Sequence, residues 1–141
     1  MDFKDCVKFA NENKTCFLAT VDGDQPRVRA MGMEYADDTG FYFNTESPKA
    51  VARQLKKNQK VELCYWGAGK MLRVTGKVDF IDDVDIRKRF YEARPFLKNL
   101  GVKSPEDPLL VVFAVRKGEA FFWTMADNMK EAGIPRIKFG K

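Results

Sequence analysis

From Met71 to Ile81 the chain alternates in polarity. Leu72, Val74, Gly76, Val78 and Phe80 fall on one face, and Arg73, Thr75, Lys77 and Asp79 on the other. A period of two sustained over this length is that of a long half-buried β-strand. Such a strand needs partners, and short apolar runs bounded by turn formers supply them. Thr15 to Val21 is one, ended by Asp22-Gly23-Asp24, with Pro26 closing the turn. Arg27 to Tyr35 reads as its hairpin partner, with Arg27 and Arg29 on one face and Val28 on the other. Phe41 to Phe43 follows the turn Asp37-Asp38-Thr39-Gly40, and Val61 to Trp66 precedes the turn Gly67-Ala68-Gly69. Leu109 to Val115 and Ala120 to Thr124 read as a closing hairpin around Lys117-Gly118.

Three helices punctuate this series. Phe3, Cys6, Val7 and Ala10 have helical spacing within residues 2–13. Ser47-Pro48 reads as an N-cap followed by a first helical residue, opening a helix that runs through Lys49–Lys57 and stops near Asn58. Asp82-Asp83 caps a third, with Ile86, Phe90 and Leu97 on its apolar stripe. Asn99 to Asp107 is expected to be loop, and the tail from Ala126 irregular. The fold class that follows is mainly β with flanking helices: one antiparallel barrel domain of about seven strands over residues 1–141. A small barrel buries many short strands and removes most of their open edges.

The chain has no histidine. That removes the Ser-His-Asp triad, the Cys-His pair, histidine-ligated haem and the usual catalytic zinc sites together. Cys6, Cys16 and Cys64 cannot all pair and show no CxxC spacing, so no metal site is indicated. They read as core fillers, Cys64 being the one most expected to be buried. No apolar run reaches the roughly 18–20 residues of a membrane span. The polar N-terminus lacks the pattern of a signal peptide, so the expected location is cytoplasmic. The net charge of +5 is a mild bias. Arg87-Lys88-Arg89, opposite Phe90 on its helix, reads as a solvated face and not as a nucleic-acid surface.

The chemistry-bearing segment is Asn44-Thr45-Glu46-Ser47-Pro48-Lys49. A strand ends, a hydroxyl-bearing turn follows and a helix begins, so free N–H groups and a partial positive charge gather at one point. Thr45 and Ser47 add donors and Lys49 adds a cation. With Arg29 on the neighbouring strand, the set suits one phosphate monoester. Most equivalent helix starts bind only water.

Several segments resemble the pyridoxamine 5'-phosphate oxidase-like family. Ala19-Thr20-Val21-Asp22-Gly23 with Pro26-Arg27-Val28-Arg29 is similar to its first hairpin. Phe41-Tyr42-Phe43-Asn44-Thr45 with Ser47-Pro48-Lys49 resembles its phosphate segment. Gln54-Leu55, Asn58 and Val61 resemble its helix-to-strand passage, and Met71 to Val78 its long central strand. The resemblance is close over residues 15–80 and looser over 108–125. It implies an FMN-binding split β-barrel working as a homodimer, with the cofactor at the subunit interface. Carried over, Arg29 and Lys49 hold the FMN phosphate and Thr45 and Ser47 donate to it. The backbone of Arg29, Ala30 and Met31 runs along the isoalloxazine edge, and Asn44 lies near the phosphate or ribityl chain.

The chain departs from the family oxidase at three points. Glu34 replaces a lysine, Met71 stands where the long strand carries a glutamine, and the substrate signature in the C-terminal segment, which contains a histidine, is missing. The expectation is therefore an FMN-dependent oxidoreductase with a small-molecule substrate or redox partner, other than vitamin B6 oxidase. The alternative is a non-catalytic flavin, deazaflavin or haem module, or an OB-like barrel. Trp66 and Trp123 are placed near a flavin, at a dimer seam or in ordinary packing. Phe121-Phe122-Trp123, apolar on both faces, argues for a second copy covering the outer side. Lys130, Arg136 and Lys138 lie in a tail read as disordered or as reaching a neighbouring subunit.

Overall fold

A computed structural model describes residues 1–140. Helix α1 (Phe3–Glu12) opens with a capping box between Asp2 and Asp5 and buries Cys6, Phe9 and Ala10. Eight strands follow in one antiparallel sheet: β1 (Thr15–Asp22), β2 (Gln25–Gly32), β3 (Tyr35–Asp37), β4 (Gly40–Glu46), β5 (Lys60–Gly67), β6 (Lys70–Phe80), β7 (Leu110–Thr124) and β8 (Ile137–Phe139). Helix α2 (Ala50–Lys57) links β4 to β5, and α3 (Val84–Ala93) with the single turn α4 (Phe96–Asn99) links β6 to β7.

The sheet order is β2-β1-β5-β6-β7-β4-β3, with β8 on β7. Its two outermost strands, β2 and β3, are consecutive in the chain. The run expected as one strand from Arg27 to Tyr35 is therefore two, parted at Met33-Glu34. The Met33 N–H donates to the Lys14 carbonyl (2.8 Å) and the Glu34 N–H to the Tyr42 carbonyl (3.0 Å). The chain itself crosses from one edge of the sheet to the other, and the barrel is split at that point.

The alternation that singled out β6 holds at Leu72, Val74 and Val78, all buried. Phe80 is exposed beyond a register shift between Gly76 and Val78. The predicted hairpin at Lys117-Gly118 is absent, because β7 runs through it as one strand of 15 residues. Gly118 lies opposite Gly76, and a Cβ on Gly118 would sit 1.9 Å from the Thr75 carbonyl oxygen. The glycine permits close approach of two backbones where the sequence suggested a turn. Bent there, β7 pairs with β4 through residues 110–115 and with β8 through 118–120.

The tail is also ordered into structure. Two short 3₁₀ turns (Met125–Asp127 and Glu131–Gly133) lead to β8, where Phe139 is buried and stacks on Phe3 at 4.6 Å. Phe41, Phe43, Leu63, Tyr65, Leu72 and Phe113 centre the main core inside the barrel. Tyr35, Tyr42, Phe90, Leu97 and Val112 form a second core beneath α3 and α4. Arg87 belongs to this second core and not to a solvated face. Its guanidinium donates to four carbonyls, those of Ile81, Pro105, Asp107 and Leu110. Cys6 and Cys16 are fully buried and Cys64 only half so, because Cys64 points to the outer face of β5. Burial pushes the Cys6 and Cys16 thiols up to about 12. Among the described residues no helix is long and apolar enough to cross a membrane, and no cluster of His, Cys, Asp or Glu could hold a metal.

Candidate phosphate and cofactor site

Arg29 pairs with Leu18 across β1–β2, so its side chain takes the same face of the sheet as Leu18 and Thr20. There the guanidinium is fixed from three sides. Nη1 donates to Thr20 Oγ1 (2.8 Å) and to the Leu18 carbonyl (3.2 Å), and Nη2 to Gln54 Oε1 on α2 (2.6 Å). Of its five N–H groups, the one on Nε and one on Nη2 have no partner among the described residues. Burial, and then the nearby charge of Arg27, lower its pKa from the ordinary value.

The opening of α2 differs from the expectation at Ser47-Pro48. These two residues form a turn, with the Ser47 N–H donating to the Leu109 carbonyl (3.0 Å), and Lys49 is the N-cap. No side chain caps the helix, so its first-turn amides keep no side-chain partner. Lys49 Nζ lies 3.2 Å from Glu46 Oε1, with the lysine side chain largely exposed. Asn44 Nδ2 donates to Glu46 Oε2 (3.3 Å). Two buried polar atoms, Thr45 Oγ1 and Asn44 Oδ1, have no partner among the described residues. A buried hydroxyl and a buried amide oxygen without partners are costly, and ligand groups of the opposite kind would relieve them. Thr45 Oγ1 can donate to an anion. Asn44 Oδ1 can only accept, which suits a sugar-like hydroxyl and not a phosphate oxygen.

The predicted residues thus fall into two groups joined by α2. Arg29 is attached to it through Gln54, and Thr45 lies on the same face of the sheet, opposite Val111 of the main core, whereas Asn44 takes the opposite face of β4 with Tyr42 and Val112; Ser47 and Lys49 lead into the helix. Ala30 points outward on β2 and Met31 packs against the main core. Met71 is not brought to this face: it pairs with Trp66 and Trp123 on the outer side of the sheet. Glu34, where the family oxidase has lysine, holds Arg94 at 2.7 Å beside the split.

Two residues escaped the sequence reading. Gln54 sits on the apolar stripe of α2 with Val51 and Leu55, and Thr20 takes the inward alternation of Cys16 and Leu18. Both are buried, and a polar residue on each apolar face was the available signal.

The outer face carries Phe17, Val28 and Trp66, all exposed, with Ala30, Cys64 and Met71 between them. Phe121 is less open than its sequence suggested. Arg136 of the tail lies 3.9 Å above its ring and Arg73 5.3 Å away, while Arg73 also holds Glu131.

Comparison with known proteins agrees with this architecture. An oxidase from Brucella ovis named pyridoxine/pyridoxamine 5'-phosphate oxidase is 30% identical over 115 residues, covering 78% of this chain and 55% of that protein. The chain thus spans about half the length of the relatives it matches. A NimC/NimA family protein from Clostridium acetobutylicum superposes with a TM-score of 0.77 at 28% identity, over 96% of this chain and 92% of that one. A FAD-binding protein from Mesorhizobium loti shares the fold at 18% identity, with a TM-score of 0.65 over 86% and 94% of the two chains. Residues 3–124 match the family described as pyridoxamine 5'-phosphate oxidase. With most of the chain matched, and its split antiparallel sheet that of its structural neighbours, the protein belongs to the pyridoxamine 5'-phosphate oxidase family.

Proposed function

We propose that the chain binds FMN and serves as an oxidoreductase for a small molecule or a redox partner. The observation that carries this reading is the donor set around α2. It comprises uncapped amides, Lys49, the unpaired Thr45 hydroxyl and an arginine fork with two free N–H groups. That set fits one phosphate group. Arg29 and Lys49 would neutralise it and Thr45 and Ser47 would donate to it. The Arg29–Met31 backbone would flank the ring. When bound, FMN supplies the electron-transfer chemistry, and the protein's part is position and environment. The purified protein mixed with FMN should retain it through gel filtration and show the visible bands of oxidised flavin. A colourless protein after that treatment would remove the reading. An OB-like stacking surface has no support, because Phe41 and Phe43 are fully buried.

The assembly that suits this site is a homodimer with the cofactor at the seam. The outer face exposes Phe17, Val28 and Trp66 together, more apolar surface than a solvated sheet needs. Light scattering at micromolar concentration should give twice the 16.2 kDa of one chain. A mass of one chain would contradict the assembly.

The vitamin B6 reaction is not expected. The chain has no histidine, and Arg136 is engaged with the Phe121 ring. A lysine or arginine does not reproduce an imidazole in charge and shape. The FMN-loaded protein in air should form no pyridoxal 5'-phosphate from pyridoxine 5'-phosphate beyond one equivalent. Robust multiple turnover would restore that activity.

A further inference from the structure

Gln54 holds a position that its residue type does not require for packing. It lies on the buried face of α2 between Val51 and Leu55, itself 5% exposed. Its Oε1 accepts from the Thr20 hydroxyl (2.7 Å) and from Arg29 Nη2 (2.6 Å). Arginine can only donate, so the amide orientation is set: oxygen toward Arg29, nitrogen away. Among the described residues Nε2 has no acceptor. Helical side chains lean toward the N-terminus of their helix, so this amide leans toward the end where Lys49 stands.

We propose that Gln54 is the residue that selects a phosphate-bearing ligand, fixing the Arg29 fork with its oxygen and donating from Nε2 to the same anion. The proposal rests on the reading of this site as one for FMN. Neutrality at position 54 is the point of the arrangement. A carboxylate there would accept equally well from Thr20 and Arg29, but would cancel the arginine charge and place a second anionic oxygen where the NH₂ group now lies.

The glutamine and glutamate side chains are nearly isosteric, so Gln54→Glu separates the two roles. A purely structural Gln54 predicts that Gln54→Glu, with its ion pair to Arg29, binds flavins as the wild type does. The proposal predicts an unchanged or raised Tm, FMN affinity at least a hundredfold weaker, and riboflavin affinity within threefold of wild type. Thr20→Val, which removes one anchor of the fork without changing charge, should lower FMN affinity three- to tenfold and spare riboflavin. Both ligands are titrated by quenching of flavin fluorescence. Wild-type protein that binds FMN, with the FMN-to-riboflavin preference unchanged in both variants, overturns the role of Gln54 alone. Wild-type protein that binds no FMN overturns the flavin reading, and the proposal with it.

Discussion

Arg29→Ala should weaken FMN binding by ten- to hundredfold while leaving riboflavin binding nearly as it was. A charge-assisted hydrogen bond is worth about 1.5–3 kcal/mol, and each 1.4 kcal/mol is a factor of about ten in affinity. Lys49→Ala should act in the same direction but less. The lysine ammonium is largely exposed and already lies beside Glu46, whereas the Arg29 fork is half-buried and held in place before any ligand arrives. Preorganised donors lose little freedom on binding, so they yield more of their interaction as affinity. Arg29→Lys should behave more like the alanine variant than like wild type, since an ammonium cannot reproduce the fork. Fluorescence titration with both flavins checks the order. Equal and unchanged FMN affinity in Arg29→Ala and Lys49→Ala would remove the phosphate assignment.

Arg87→Met should cost about 3–5 kcal/mol of stability, a size reserved for the loss of a buried network. The side chain is buried, and its donors satisfy the carbonyls of Ile81, Pro105, Asp107 and Leu110 at 2.7–3.3 Å. Methionine fills comparable volume and removes the donor from the Ile81, Pro105 and Leu110 carbonyls, while the Asp107 carbonyl keeps the Leu110 N–H (2.9 Å); each oxygen left bare where water cannot reach costs about 1–3 kcal/mol. These four carbonyls belong to the residue just after β6, to the loop before β7 and to the first residue of β7, so the arginine fastens three segments to α3. Lysine carries three donors on one atom and cannot span the same four acceptors, so Arg87→Lys should recover less than half of the loss. Urea unfolding followed by circular dichroism would measure both. An unfolding free energy for Arg87→Met within about 0.5 kcal/mol of wild type, the range of an ordinary surface substitution, would show that the loop holds itself.

The antiparallel barrel was readable because its signals are local, whereas its split form was implied only by the family resemblance. The alternation of β6, the turns at Asp22-Gly23-Asp24 and Gly67-Ala68-Gly69, and the apolar stripes of the helices each lie within a dozen residues. What escaped depends on partners distant in sequence. Lys117-Gly118 carries the composition of a turn, and only the approach of Gly76 from β6 shows that the glycine serves a close contact. Ser47-Pro48 has the residues of a helix start, but Ser47 is drawn into a bond with the Leu109 carbonyl and the start moves to Lys49. Arg87 reads as a surface residue until the loop around Pro105 supplies its acceptors. At the candidate site Arg29, Thr45 and Lys49 were legible as candidates by residue type and spacing. Their supports, Thr20 and Gln54, were not assigned, because a polar residue on an apolar face signals a buried bond without naming the distant partner that makes it.

The length of β7 bears on how the chain reaches this structure. β4 lies in the first third of the sequence, yet its only neighbours in the sheet are the three-residue β3 and the much later β7. During synthesis the run from Phe41 to Thr45, buried in the finished protein, waits for about 65 further residues before its long partner exists. Closing a loop of that size precedes any reward from the contacts it brings, which places the protein among slow folders of high contact order. The β1–β2 hairpin and the β5–β6 ribbon can form early; the half containing β4 cannot. An interrupted or truncated chain therefore presents an unpaired, aromatic strand to its neighbours, and chaperone dependence should concentrate there.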